Sequence, residues 1–336
     1  QENQDSDMPD TQSEAALAQV SGEGENGIAV QSAGVAIDNT NFPDANFCSF
    51  VASSFDEDND NYLSDTEINA AENINCADKG ISDLTGISHF TALKRLYCDD
   101  NQLTSLDVSK NTALTYLNCY DNQLTSLDVS NNTALTYLDC YDNQLTSLDV
   151  SNNTALTKLN CYDNQLTALD VSKNTALTDL DCRNNQLTSL DISNTDMSGL
   201  DCDGNIYQIV VGNDRTFDLS TLPGNFNVAK TSDWSGGTVS GNTLTVDSDQ
   251  DTVTYKYDCG KGRRRTFTLK CVKSADYTKV DEAIAKANAL DKDDYKDFTG
   301  VEAAVNAVVR GKNINEQSEV DAMAKAIEDA IAALQY

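Results

Sequence analysis

Positive charge is what this chain most conspicuously lacks. Its 336 residues carry 23 Lys and Arg against 54 Asp and Glu, for a net charge of −31. The first basic residue is Lys79, and 17 carboxylates precede it. Nucleic-acid binders show a basic face, so a nucleic-acid partner is excluded, and an anionic membrane surface is disfavoured on the same ground. No run of 18 apolar residues occurs, so no membrane insertion is expected. Histidine occurs once, at His89 in GISHFTAL, with no partner in view, and reads as a structural residue. No nucleophile elbow, P-loop or GxGxxG is present. Carboxylates are so abundant that their spacing says nothing about glycosidase chemistry. An enzyme is not expected.

Residues 1–35 are polar, acidic and poor in large apolar groups, and are expected to be a disordered linker. The chain opens on Gln1, which suits either an exported product after signal removal or a fragment boundary.

What the chain does have is a 21-residue repeat. LTYLNCYDNQLTSLDVSNNTA, starting at Leu114, is followed by LTYLDCYDNQLTSLDVSNNTA and two further close copies, and is preceded by LKRLYCDDNQLTSLDVSKNTA from Leu93. A fixed period of this length with L-x-x-L-x-C-x-x-N-x-L is a leucine-rich repeat. The expected fold is multidomain. A solenoid over 74–205 has short parallel strands lining a concave face, each flanked by a D-V-S-x-N-T-A return that is irregular or 3₁₀. Leu96, Cys98 and Leu103 of one unit, and Leu117, Cys119 and Leu124 of the next, point inward. Asn101, Asn122, Asn143, Asn164 and Asn185 fall in one column where each strand ends, and should satisfy buried backbone groups there.

Cys76, Cys98, Cys119, Cys140, Cys161, Cys182 and Cys202 share this register. Parallel strands lie about 4.8 Å apart, so the thiols stack as a ladder. Zinc needs paired ligands such as CxxC, and none is present. Aligned parallel side chains also suit disulfide geometry poorly. The expectation is buried, reduced, space-filling thiols, which in an exported protein point to a reducing or anaerobic setting. With L-x-C and L-D-V-S in a 21-residue unit, Ile74 to Ile209 resembles the internalin J-like leucine-rich repeats of Gram-positive surface proteins. That resemblance implies an exported, adhesin-like protein.

FDEDNDNYLSDTEI precedes the repeats. Counted from Asp56, positions 1, 3, 5, 7, 9 and 12 are Asp56, Asp58, Asp60, Tyr62, Ser64 and Glu67, the oxygen-ligand spacing of an EF-hand loop. Asn61 replaces the glycine at position 6 and tolerates a left-handed backbone. The expectation is a structural Ca²⁺ in a helical, EF-hand-like cap over 36–73, with DANFCSFVASSF as first helix and TEINAAENI as second. Segments of this type resemble the caps of such surface proteins.

Beyond the solenoid, YQIVV, TFDL, TLTV, TVTYKY and TFTLKCV predict a small Ig-like β-sandwich over 206–273, with Trp234 in its core and the KGRRR run at 261–265 as a solvated hairpin tip. Whether Cys48, Cys259 and Cys271 form disulfides stays open, since Cys259 and Cys271 do not suit a directly opposed hairpin pair. Residues 274–336 predict a three-helix bundle and resemble FIVAR-type modules through YKDF and VEAAVNAVVRGKNI. The surface-protein resemblance implies an extracellular location; no LPxTG-like sorting signal follows Tyr336, so a chain ending there is expected to be secreted and a fragment of a longer one to be cell-wall associated.

Outward strand positions assemble the candidate ligand face: Tyr97, Tyr116, Tyr120, Tyr137, Tyr141 and Tyr162 with Asp139 and Arg183, bordered by Asp100, Asp121, Asp142 and Asp163. Tyrosine faces would stack on sugars or anchor a protein. The expected function is an adhesin-like binding protein recognising a host or bacterial surface protein or glycan, as a monomer. The alternative is a structural spacer of a larger surface protein, its repeated tyrosines reflecting only duplication.

Overall fold

A computed structural model describes residues 34–335. The linker expected at 1–35 lies almost wholly outside the described residues. A short antiparallel pair, β1 (Val35–Ala36) and β2 (Tyr62–Leu63), ties together a cap containing α1 (Ala45–Phe55) and α2 (Asp65–Ala70). Asp44 caps α1 by accepting from the Asn46 and Phe47 amides, and its other oxygen accepts from the Ser82 amide and hydroxyl, which fastens the cap to the first rung. Phe42, Phe47, Val51 and Leu63 are fully buried against Ile81 and Phe90. Gly86 makes this approach possible: it sits at φ 107°, and a Cβ there would lie 2.3 Å from the Phe42 ring. His89 packs 5.8 Å from the Phe42 ring centroid.

The second cap helix is shorter than the sequence predicts. It stops at Ala70, because the Glu72 carbonyl accepts from the Lys94 and Arg95 amides and Asn73–Asn75 becomes a strand, putting Ile74 and Cys76 in register with the repeats.

Seven parallel strands make the solenoid sheet: β3 (Asn73–Asn75), β4 (Arg95–Tyr97), β5 (Tyr116–Asn118), β6 (Tyr137–Asp139), β7 (Lys158–Asn160), β8 (Asp179–Asp181) and β9 (Gly199–Asp201), in sequence order. Each rung buries two strand-side leucines, a cysteine and a return valine or isoleucine, at roughly 1.5–3 kcal/mol per large side chain. No rung has a closed core of its own, so stability comes from stacking. Asn143 shows how a strand end is closed. Its Nδ2 donates to the Cys119, Cys140 and Tyr141 carbonyls, and its Oδ1 accepts from the Leu124 amide at 2.9 Å. A second buried asparagine column, at Asn111, Asn132, Asn153 and Asn174, stitches the returns. The sequence reading missed it, although N-T-A recurs in every unit.

All ten cysteines are free thiols. Those of the ladder are 0% exposed, and burial pushes Cys98, Cys119 and Cys140 well above the usual thiol range. Cys259, from the following region, is buried beside the last rungs, its carbonyl accepting from the Ile192 amide at 2.8 Å; burial, with Cys202 nearby, raises its thiol. Cys259 thus stands at the hairpin end beside the solenoid, whereas Cys271 lies opposite Ile209 in a parallel strand pair of the following region.

The following region has a four-stranded sheet of β10 (Ile206–Val211), β12 (Thr231–Ser235), β15 (Thr252–Asp258) and β16 (Arg264–Lys273), and a three-stranded sheet of β11 (Thr216–Asp218), β13 (Gly237–Ser240) and β14 (Thr243–Val246). Trp234 is half-buried and stacks 4.5 Å from Tyr255; Tyr255, 1% exposed, is the core residue. The arginine run is not a solvated tip. Arg263 donates to the Met197 carbonyl at 2.8 Å, Arg265 donates to the Leu200 carbonyl, and Lys261 pairs with Asp196. These cations cover the edge of the last rung, which would otherwise offer unpaired carbonyls. Helices α3 (Thr278–Asn288), α4 (Thr299–Asn306) and α5 (Gln317–Ala332) follow, packed through Val280, Ala287, Val301, Val320, Ala324 and Ile327.

Candidate ligand face and metal loop

Three of the six predicted metal positions converge. Ligand oxygens of Asp56, Asp58 and Asp60 lie within 4.8 Å of one another. Asp56 holds the loop by accepting from the Asp60 and Asn61 amides, each at 3.1 Å, and Asn59 and Asn61 take positive φ of 59° and 65°. Glu67 is not one of the converging trio but turns to the same loop, near enough to act on Asp58. Its carboxylate accepts from the Glu57 amide and from the Ser64 amide and hydroxyl, closing a capping box on α2. Ser64 is thus engaged as helix cap, and Tyr62 brings its backbone to the loop while its side chain is exposed. Partial desolvation and the neighbouring carboxylates push Asp58 up, the condition a hard cation relieves. The donor set is all oxygen, and it fits Ca²⁺.

On the concave face the strands bring all six tyrosines together, and the rings turn to one another. Tyr116 and Tyr137 stack at 4.3 Å with planes 9° apart, and Tyr97 leans on Tyr116 at 5.0 Å. Tyr120, Tyr141 and Tyr162 form a second stack at 4.4 and 4.2 Å. Identical residues one rung apart meet at about the strand spacing, so ring stacking is the direct result of duplication. Faces imagined as open to a ligand are thereby shared between neighbours, and what the columns present is ring edges, hydroxyls and their two ends. Arg183 closes one end, its guanidinium 5.2 Å from the Tyr162 centroid and held by Asp181 through Nε at 2.9 Å and Nη2 at 2.6 Å. Lys158 lies 5.4 Å from the Tyr137 ring.

Between the stacks, and at the cap end of the Tyr120 column, lie polar residues that the sequence places outward but the structure covers. Asp99, Asn118 and Asp139 are 6%, 8% and 6% exposed, and Oδ1 of each has no hydrogen-bond partner. Tyr137 donates its hydroxyl to Oδ2 of Asp139 at 3.2 Å, and the Tyr120 hydroxyl serves the Asp99 carboxyl. Burial pushes Asp139 up to about 6, and lifts Asp99 in the same direction. Burial also raises the tyrosines; Tyr120 reaches about 12. Asp139 was predicted as a site residue; Asp99 and Asn118 were not. A contrast of neighbours along the column would have been the only signal.

Residues 112–153 and 154–205 match a family model described as leucine-rich repeats, in two copies. Internalin J of Listeria monocytogenes serotype 4b (strain F2365) is 47% identical over 70 residues, which is 21% of this chain and 8% of that relative's length. The structure of a functional domain of InlJ from Listeria monocytogenes, described as including a cysteine ladder, is 40% identical with a TM-score of 0.47, over 53% of this chain and 45% of that one. An internalin (inlF) structure from Listeria monocytogenes str. 4b F2365 gives 22% identity and a TM-score of 0.39, over 48% and 55%. Among the described residues no helix is long and apolar enough to cross a membrane. Seven stacked strands and a buried thiol column make residues 74–205 a leucine-rich repeat solenoid, similar over 70 residues to Internalin J, of whose length the chain spans only 8%.

Proposed function

We propose that this chain is an extracellular, adhesin-like binding protein, secreted or cell-wall associated, that recognises a protein or glycan through the concave face of its repeats. The observation that carries this is the pair of tyrosine stacks flanking a line of under-bonded acceptors on one face. Hydroxyls and ring edges give a partner both hydrogen bonds and apolar area, the combination enriched at binding hot spots. Ca²⁺ held by Asp56, Asp58 and Asp60 would brace the cap over the first rung and supply rigidity rather than chemistry. No acid, base or nucleophile is needed for this role. The β region and helices fit a stalk that presents the solenoid.

The ring stacking also favours a second reading, a spacer with no ligand of its own, because rings that face each other stiffen the solenoid. Binding to arrays of glycans and of surface proteins in calcium, with the Tyr120, Tyr141 and Tyr162→Ala variant alongside, separates the two. Loss of a wild-type signal in the variant, with its melting retained, supports the receptor. Absence of any wild-type signal leaves the spacer.

A further inference from the structure

The central column of the concave face is not uniform. Asn160 is half-buried and Asp181 is satisfied by Arg183, whereas Asn118 and Asp139 of this column, and Asp99 at the cap end of the neighbouring Tyr120 column, each keep an oxygen without a hydrogen-bond donor. Buried acceptors left unbonded cost free energy, and native proteins seldom keep them without a use. Asn111, Asn132, Asn153 and Asn174 also have a lone Oδ1, but these sit inside the solenoid at 0% exposure and recur in every rung. The concave three occupy outward strand positions, so the partner they lack has to come from the groove.

The chain itself shows what suits this groove. Arg183 joins a central carboxylate to a tyrosine face, and Lys158 is drawn over another ring. At the opposite end of the longer stack, the place one rung before Tyr120 is held by Asp99, so ring and carboxylate stand together with no cation of the chain between them. Asp99 and Asp139 lie two rungs and one column apart, roughly 10 Å along the solenoid axis, a separation that two side chains of one extended segment crossing the face obliquely can span. Asp100, Asp121 and Asp142 border the line and repel anions.

We infer that Asp99, Asn118 and Asp139 form a receptor line for the lysine and arginine side chains of a basic polypeptide segment, which enters by displacing the tyrosine hydroxyls that cover it. This rests on the concave face being the ligand face. A guanidinium or ammonium supplies the missing donors to Oδ1 and a counter-charge for Asp99, adding to that of Lys158 near Asp139, while Tyr120 gives it an aromatic wall.

The test is fluorescence anisotropy of the full chain with a labelled peptide carrying three arginines spaced by Gly-Ser, its lysine counterpart, and an acidic control peptide. The proteins are wild type, Asp99→Asn with Asp139→Asn, and Asp149→Asn, a return-loop control. Wild type is expected to bind the basic peptides, the double variant at least tenfold more weakly, and the control within twofold of wild type. Should the double variant melt at the assay temperature, Asp139→Asn alone carries the test, with an expected threefold loss. Equal affinity across the three proteins, or no binding of either basic peptide, overturns the inference. A wild type that binds glycans through its tyrosines but not these peptides overturns it too, while leaving the receptor proposal standing; a concave face that binds neither sinks both.

Discussion

Asn143 and Asp139 stand four residues apart in the same repeat and are treated in opposite ways. The strand-end asparagine is saturated, with three carbonyls on its Nδ2 and an amide on its Oδ1. The central aspartate is at least as buried, yet keeps one oxygen bare and a carboxyl pushed up to about 6. The strand-end asparagines that build the solenoid are fully bonded, whereas Asp99, Asn118 and Asp139 on the concave face are held short of partners. A burial value alone does not distinguish the two; the completeness of bonding does.

The contrast is sharpest if broken at Asn143. Asn143→Ala orphans one amide and leaves three carbonyls short, each at about 1–3 kcal/mol when buried, so a loss of about 3–5 kcal/mol is expected in urea unfolding. A loss below about 1 kcal/mol would mean that water replaces the side chain. Calcium comes next. At a hundredfold excess over Kd it should stabilise the cap by about 2.7 kcal/mol, seen as a higher Tm in calcium than in chelator, and Asp58→Asn should remove most of the shift. An identical Tm in both buffers would refute a metal role. Cys140→Ser puts a hydroxyl into the dry thiol column and should cost about 2 kcal/mol; native Cys140 should resist thiol reagents until unfolding, given its raised pKa.

The smallest effect has the opposite sign. Asp139 holds its proton more tightly folded than unfolded, under burial and with Tyr137, Lys158, Asn160 and Asp99 around it. That contribution is present at low pH and is lost as pH rises from the ordinary carboxylate value of 3.8 through about 6. Asp139→Asn should therefore stabilise the protein at pH 7, on the order of 1 kcal/mol once solvent screening is allowed for, and flatten the slope between pH 4 and 6. A destabilised variant would place Asp139 among the builders. Stabilisation together with weaker binding of basic peptides would be the mark of a residue kept for recognition.

Much of the solenoid was legible because duplication writes its geometry into a fixed period: the leucines, the cysteines and the asparagines of NQL all fall where the 21-residue spacing puts them. The positions of the six tyrosines were legible too. What those rings touch was not, because stacking is a contact between rungs, set by strand spacing rather than by local pattern. Burial of Asp99 and Asp139 under tyrosine hydroxyls escaped for the same reason. The arginines of KGRRR were misjudged because their partners are the carbonyls of Met197, Ser198 and Leu200, some 65 residues away in sequence, and carbonyls leave no trace in side-chain pattern.

Asp44 and Phe42 grip the first rung; the arginines grip the last, and the rung before it is tied to the following region by the Thr188 and Ser189 hydroxyls, which donate to the Pro223 and Gly224 carbonyls. Every rung between presents nearly the same upper and lower surface to its neighbour. The array is therefore modular in length. A further 21-residue copy inserted between Leu114 and Ala176 would extend the thiol column and a tyrosine column by one member and move the far cap outward by about 4.8 Å, leaving both cap contacts as they are. Copy number is thus a length dial, and reach could vary among related chains without any new packing having to be found.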